Sequence, residues 1–210
     1  MPTIALLGDS IFDNKVYVGD QPDVTTHCKN LAPTDWVIRL LAVDGSVARM
    51  VASQASQITE EVTHLIVSVG GNDALSNADI LTMSAFSSAE VLEEISKRAD
   101  AFRNDYAAML EVLLKRALPL SVCSVYYPNF PESNLQRIAT AALSCFNDVI
   151  ISEAAFWGIP LIDLRLVCTE AADYANEIEP SGPGGEKIAK AIIKLIQEHD
   201  FSKQRTEIYY

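Results

Sequence analysis

Five short apolar runs, Thr3–Leu7, Val37–Val43, His64–Val69, Leu120–Val125 and Pro160–Leu164, are each bounded by turn residues and separated by stretches of helical periodicity. Buried runs alternating with helices are the pattern of a parallel sheet covered on both faces. The expected fold class is therefore α/β, a three-layer α/β/α sandwich of flavodoxin-like form with a five-stranded parallel sheet. Ser46–Gln57 reads as a short helix and Ser87–Leu118 as a long one. Asn134–Trp157 is a third, closed by Gly158, and Gly184–Glu198 carries Ile188, Ile192, Ile193 and Ile196 on one side. With 210 residues, one domain covering 1–210 accounts for the chain. Phe12–Pro33 reads as a surface excursion, a loop lining or covering a cleft. For the tail from His199 to Tyr210 three readings stand: a segment wrapped on the domain, a contact with a second copy in a homo-oligomer, or a loosely ordered end.

Sixteen Lys and Arg against 28 Asp and Glu leave a formal charge of −12, which repels phosphate backbones and anionic lipid surfaces. Nucleic acid and membrane are thus disfavoured as partners. No segment is read as a membrane span and the N-terminus lacks a signal-peptide pattern, so the expected location is cytoplasmic. Cys28, Cys123, Cys145 and Cys168 form no Cys-x-x-Cys pair and are expected to be reduced. No motif calls for a metal or an organic cofactor.

Ligands of open parallel sheets bind beyond the carboxyl ends of the strands. Three such ends carry glycine beside polar groups: Gly8-Asp9-Ser10, Asp44-Gly45-Ser46 and Gly70-Gly71-Asn72-Asp73. A serine attacks a carbonyl only if its proton is removed and the resulting oxyanion meets preplaced donors. Ser10 suits the first role, and its own N–H, the Gly45 N–H and the Asn72 side-chain amide suit the second. Singly, each block is also an ordinary strand-ending turn. Asp9 and Asp73 are expected to brace these turns, with Asp9 also a candidate substrate contact.

Taken together, the three blocks in this order resemble the SGNH hydrolases, the GDSL esterase/lipase family. The resemblance implies a small-molecule ester or acylated substrate, Ser10 as nucleophile, and Gly45 and Asn72 as oxyanion donors. It departs at the fourth block, where the family carries Asp-x-x-His followed by Pro and Gly. Here Asn176 stands in the Asp position and Glu179 in the His position, with Pro180 and Gly185 holding the register. A carboxylate near pKa 4.3 is a weaker base than an imidazole near 6.5, but burial raises the former. Three possibilities remain open at the sequence level: Glu179 is the base, a histidine arrives from elsewhere (His27 being better placed than His64 or His199), or the scaffold binds a ligand without turning it over. Arg49, one helical turn after Gly45, is a candidate partner for Glu179 or for an anionic substrate group, with a plain surface arginine as the alternative.

Overall fold

The computed structural model describes all 210 residues. Its sheet is wholly parallel and is built from β1 (Thr3–Gly8), β2 (Val37–Leu40), β3 (His64–Ser68), β4 (Leu120–Cys123), β5 (Leu161–Ile162) and β6 (Ile208–Tyr209), in the order β2-β1-β3-β4-β5-β6. The α/β/α class is as expected, with one strand more. The sixth comes from the tail, which pairs Ile208 with Leu161 and Tyr209 with Ile162. A two-residue strand is too short to announce itself by alternation, and the tail hides it among charged residues.

Side chains alternate across β1 and define two cores. Ala5 and Leu7 join the face covered by α2 (Val51–Ala55), α4 (Ser88–Leu114) and α5 (Ser133–Trp157). Ile4 and Leu6 join the face covered by α1 (Val24–Leu31), α6 (Leu164–Val167) and α7 (Gly182–Glu198). The remaining helix, α3 (Gly71–Leu75), follows β3 directly. Helix α5 ends at Gly158 in the left-handed conformation, as expected. It is long and apolar enough to cross a membrane by length and composition, contrary to the sequence expectation. Its buried face, including Leu143, Phe146 and Ile150, belongs to the core.

Two expectations needed correction. The excursion Phe12–Pro33 contains α1, capped by the Asp23 carboxylate on Thr26 N–H at 2.6 Å and packed through Val24 and Cys28 against the last helix. Threonines and a histidine on its apolar side obscured the periodicity. The run Val37–Val43 is a strand only to Leu40 and leaves Val37, Arg39 and Leu40 exposed, because β2 lies at the sheet edge with a single neighbour.

The chain order reverses between β1 and β3: β1 leads outward to β2, while β3 leads the other way to β4. That crevice, at the carboxyl ends, is where such sheets bind ligands.

Candidate active site

The crevice begins with a close approach of two strands. Gly8 has φ +124°, and a Cβ there would lie 1.8 Å from the Ser68 carbonyl oxygen, so only glycine lets β1 and β3 run together at this point. The chain then turns. Asp9 N–H donates to Ser68 O at 3.1 Å, and Phe12 N–H and Asp13 N–H both donate to Asp9 O at 3.2 Å. Ser10 sits in this turn, lining the crevice while 6% exposed.

The Ser10 hydroxyl donates to Glu179 Oε1 at 3.0 Å across 169 residues of chain. Glu179 is itself 6% exposed, and its Oε2 is buried without a partner. Burial pushes the Glu179 carboxyl up to about 7; the Ser10 bond opposes this and the charge of Asp44 adds to it. At neutral pH the group is therefore divided between carboxylate and acid.

The loop that delivers Glu179 is pinned through its backbone. Asn176 Oδ1 accepts from both Ile178 N–H and Glu179 N–H at 2.9 Å, forming an Asx turn. Glu179 O accepts from Ala175 N–H at 2.8 Å, and the Tyr126 hydroxyl donates to Ile178 O at 2.6 Å. Asn176 thus orients the carboxylate by shaping its loop, without touching the carboxyl group.

Asn72, in the first turn of α3, lines the same crevice as Ser10; its Nδ2 donates to Ser46 O at 3.1 Å, which leaves the second amide hydrogen free. That bond ties Asn72 to the Gly45–Ser46 turn, where Gly45 has φ +77° and Ser46 N–H donates to Val43 O at 3.1 Å. Neither Ser10 N–H nor Gly45 N–H is spent on a bond within the protein.

Sequence reasoning missed Gln54, the residue that holds the first two blocks together. From α2 it clasps Gly8 on both sides, accepting from Gly8 N–H and donating to Gly8 O at 2.8 Å each, and its Nε2 also donates to Ser46 Oγ at 3.2 Å. The available signal was a glutamine between Val51 and Ala55 on the buried side of a short helix. Asp73 adds a second brace by accepting from Ala48 N–H at 3.1 Å. Asp9 accepts from Ile11 N–H at 3.1 Å, so both aspartates brace turns as expected. Asp9 also lines the crevice; burial pushes its carboxyl up to about 8, against the pull of the Ile11 bond and with the charges of Glu179 and Asp73 adding, so it keeps its proton at neutral pH.

Arg49 lies elsewhere. It lines a separate hollow with Asp73, Lys97, Arg98 and Asp105, and it makes no ion pair with Glu179. The helix predicted from Ser46 starts instead as a 3-10 turn at Ala48–Met50, which alters the phase of the side chain. None of the three histidines bonds to Ser10 or Glu179. His199 Nδ1 lies 2.8 Å from Glu207 Oε2, and His64 Nδ1 lies 2.8 Å from Thr63 Oγ1. His27 is on α1, where its ring faces Gly185 and its Nε2 is buried without a partner.

The crevice shared by Ser10, Asn72 and Glu179 has a volume of about 130 Å³ and a mostly hydrophobic lining. One wall is α3 and the 3-10 turn Ala78–Thr82, which contributes Ile80 and Leu81; another is α5, through Ala142, Leu143 and Phe146.

Neither a protein-family model nor a curated protein sequence matches the chain. Solved structures do. A member of the lipolytic protein G-D-S-L family from Veillonella parvula superposes with a TM-score of 0.69 at 14% identity, over 95% of this chain and 100% of that one. The extracellular lipase of Streptomyces rimosus gives 0.66 at 16%, again over 95% and 100%. A carbohydrate acetylesterase from Sinorhizobium meliloti gives 0.67 at 10%, over 94% and 99%. Across its whole length, then, the chain has the fold of these proteins.

Proposed function

We propose that this chain, which shares its fold with lipases and esterases, is a serine-dependent ester hydrolase of the GDSL type in which Glu179 does the work of the family's histidine. The observation that carries the reading is the 3.0 Å hydrogen bond from Ser10 to a buried carboxyl whose pKa is pushed up to about 7. A general base is most effective when its pKa lies near the working pH, since it must accept a proton in one step and return it in the next.

In the first step Ser10 Oγ bonds to the ester carbonyl carbon while its proton passes to Glu179 Oε1. The carbonyl electron pair moves to oxygen, where Ser10 N–H, Gly45 N–H and the free Asn72 amide hydrogen receive it. Collapse restores the carbonyl and breaks the bond to the alcohol oxygen, which takes the proton from Glu179. Water, giving a proton to Glu179, then attacks the acyl carbon; the bond to Ser10 Oγ breaks, Glu179 returns the proton to Oγ, and the carboxylic acid leaves. The protonated state of Asp9 favours this cycle, because ionised Glu179 does not then face a second carboxylate across the crevice. The substrate is an acylated small molecule.

A fluorophosphonate probe tests the reading directly. It is expected to label Ser10 at pH 8 and to spare Ser10→Ala, and p-nitrophenyl butyrate turnover should fall to background in that variant. Labelling at another residue, or turnover unchanged in Ser10→Ala, would overturn the assignment and leave a ligand-binding scaffold in its place.

A further inference from the structure

We infer that the alcohol part of the substrate is cationic, with an ammonium or quaternary ammonium group a short spacer beyond the ester oxygen, held by Asp13 and Asp44 on the rim beside Glu179. The inference rests on the hydrolase reading above.

The alcohol end lies by Glu179, because the leaving oxygen takes its proton from Glu179 Oε1 in the proposed cycle. At the ends of β1 and β2 the rim there is acidic. Asp13 closes the turn that holds Ser10, its N–H donating to Asp9 O at 3.2 Å, and its Oδ2 accepts from Asp44 N–H at 3.0 Å. Asp44 adjoins Gly45, and its Oδ2 accepts from the Tyr17 hydroxyl at 2.8 Å. The Oδ1 atom of each aspartate makes no hydrogen bond within the protein. These groups share one electrostatic neighbourhood with the base. The charge of Asp44 acts on Glu179, and after the Asp44 bond and burial, the charges of Glu179, Asp44 and Asp13 all raise the Tyr17 hydroxyl.

No cation of the protein answers them. Asp13, Asp44 and Glu179 take part in none of its ion pairs. Lys15 is turned back on Gly19 O and Gln21 O, at 2.7 and 3.1 Å, and Arg49 lies in its own hollow. A second observation points to a ligand: Glu179 is 6% exposed and lines the crevice, yet its Oε2 has no partner while Oε1 holds Ser10. A buried carboxylate oxygen without a donor is costly to ionise, and a substrate cation at the rim supplies the missing counter-charge when the base is needed. The carboxyl groups are not arranged to chelate a metal ion, which favours an organic cation. The aromatic ring of Tyr17 beside Asp44 suits such a cation, and an anionic alcohol is repelled by the same rim.

The test compares kcat/KM for butyrylcholine and for its uncharged isostere 3,3-dimethylbutyl butyrate, each corrected for its rate of hydrolysis by hydroxide. The corrected ratio is expected to be on the order of tenfold at low ionic strength and to shrink in about 0.5 M salt. Asp44→Asn should cut it roughly threefold, and Asp13→Asn with Asp44→Asn should bring it close to unity. Choline, as an inhibitor of p-nitrophenyl butyrate hydrolysis, gives a second readout. Glu179 is faced by Asp9 and Asp44 and by the hydroxyls of Ser10, Tyr17 and Tyr126. Glu179 and Asp9 are raised, chiefly by burial, to about 7 and about 8, so choline should bind more tightly as pH rises through that range, and 3,3-dimethylbutanol should not. A corrected ratio near unity in the wild type would overturn the cation site. So would a ratio unmoved in both variants while Ser10 still takes the fluorophosphonate label, or choline inhibition independent of pH. In each of these cases turnover of p-nitrophenyl butyrate leaves the hydrolase reading standing. With no label on Ser10 and no ester turned over, the hydrolase reading falls and takes the cation site with it.

Discussion

The two halves of the crevice are built on different plans. The donor half, from Gly8 to Asn72, is rigid by redundancy: Gln54 clasps Gly8 on both sides and touches Ser46, Asp73 holds Ala48, and Asn72 holds Ser46. The half that carries Glu179, the proposed base, is a loop held by the Asn176 side chain, the Tyr126 hydroxyl and backbone bonds from Ala175 N–H to Glu179 O and from Asn129 N–H to Glu177 O, and it presents a single carboxylate. The comparison teaches where substitution is tolerated. Backbone donors are fixed by the sheet and its braces and cannot be exchanged one at a time, whereas a base is one side chain whose proton affinity can be set by burial.

Removing the proposed base gives the largest expected effect. Glu179→Gln keeps the shape and abolishes proton transfer, so kcat/KM is expected to fall by about 10²- to 10⁴-fold. The wild-type pH profile carries the sign. Only the ionised carboxylate accepts the serine proton, and its pKa is raised to about 7, so activity should be lost as pH falls through about 7 and level off above it. Residual activity in Glu179→Gln should show no such limb. A wild-type profile flat from pH 5 to 8 would break the assignment of base and donor halves. Asn176→Asp combined with Glu179→His, which supplies the pair the sequence resemblance leads one to expect, sharpens it: this variant should recover at least tenfold over Glu179→Gln.

Under the proposed mechanism, Asn72→Ala removes one of three oxyanion donors and is expected to cost about 10²- to 10³-fold in kcat with little change in KM, since the donor acts on charge that exists only in the transition state. Because Asn72 also holds Ser46 O, a matched control is needed. Gln54→Ala keeps all three donors but loosens their mounting, so a smaller loss there than in Asn72→Ala separates donation from bracing. Equal losses would mean that the donor half works as one scaffold.

Much of this division was legible in the sequence. Ser10, Asn72 and Glu179 line one crevice as their strand ends and loop registers implied, because glycine-flanked turns after apolar runs leave little freedom in where a side chain emerges. The partnership of Ser10 with Glu179 was legible only as one of three options, since 169 residues separate them and no local pattern reports that distance. Gln54 and the hydrophobic lining of the crevice were not legible at all. The first is a lone polar residue whose partners are backbone atoms 46 positions away, and the second bounds empty space between helices packed on one face of the sheet. Helix α1 and strand β6 were hidden for a local reason, being short elements whose stability comes from docking and not from their own periodicity.

Arg49 offers the finest test of the boundary between the halves. Spacing alone put it one turn from Gly45, as a partner for Glu179 or an anionic substrate group or as a plain surface arginine, and the 3-10 start at Ala48 turns it into the neighbouring hollow with Asp73, Lys97 and Asp105. Its charge there lowers the proton affinity of Asp73, though it is the least of the influences on that group, behind burial and the Ala48 bond. Arg49→Ala is therefore expected to leave kcat/KM within about twofold and the pH limb of Glu179 unmoved, the behaviour of an ordinary surface substitution. A shift of that limb toward higher pH would place the guanidinium within reach of Glu179 after all. The base would then owe part of its ionisation to a cation from the donor side, and the two halves would be one electrostatic unit.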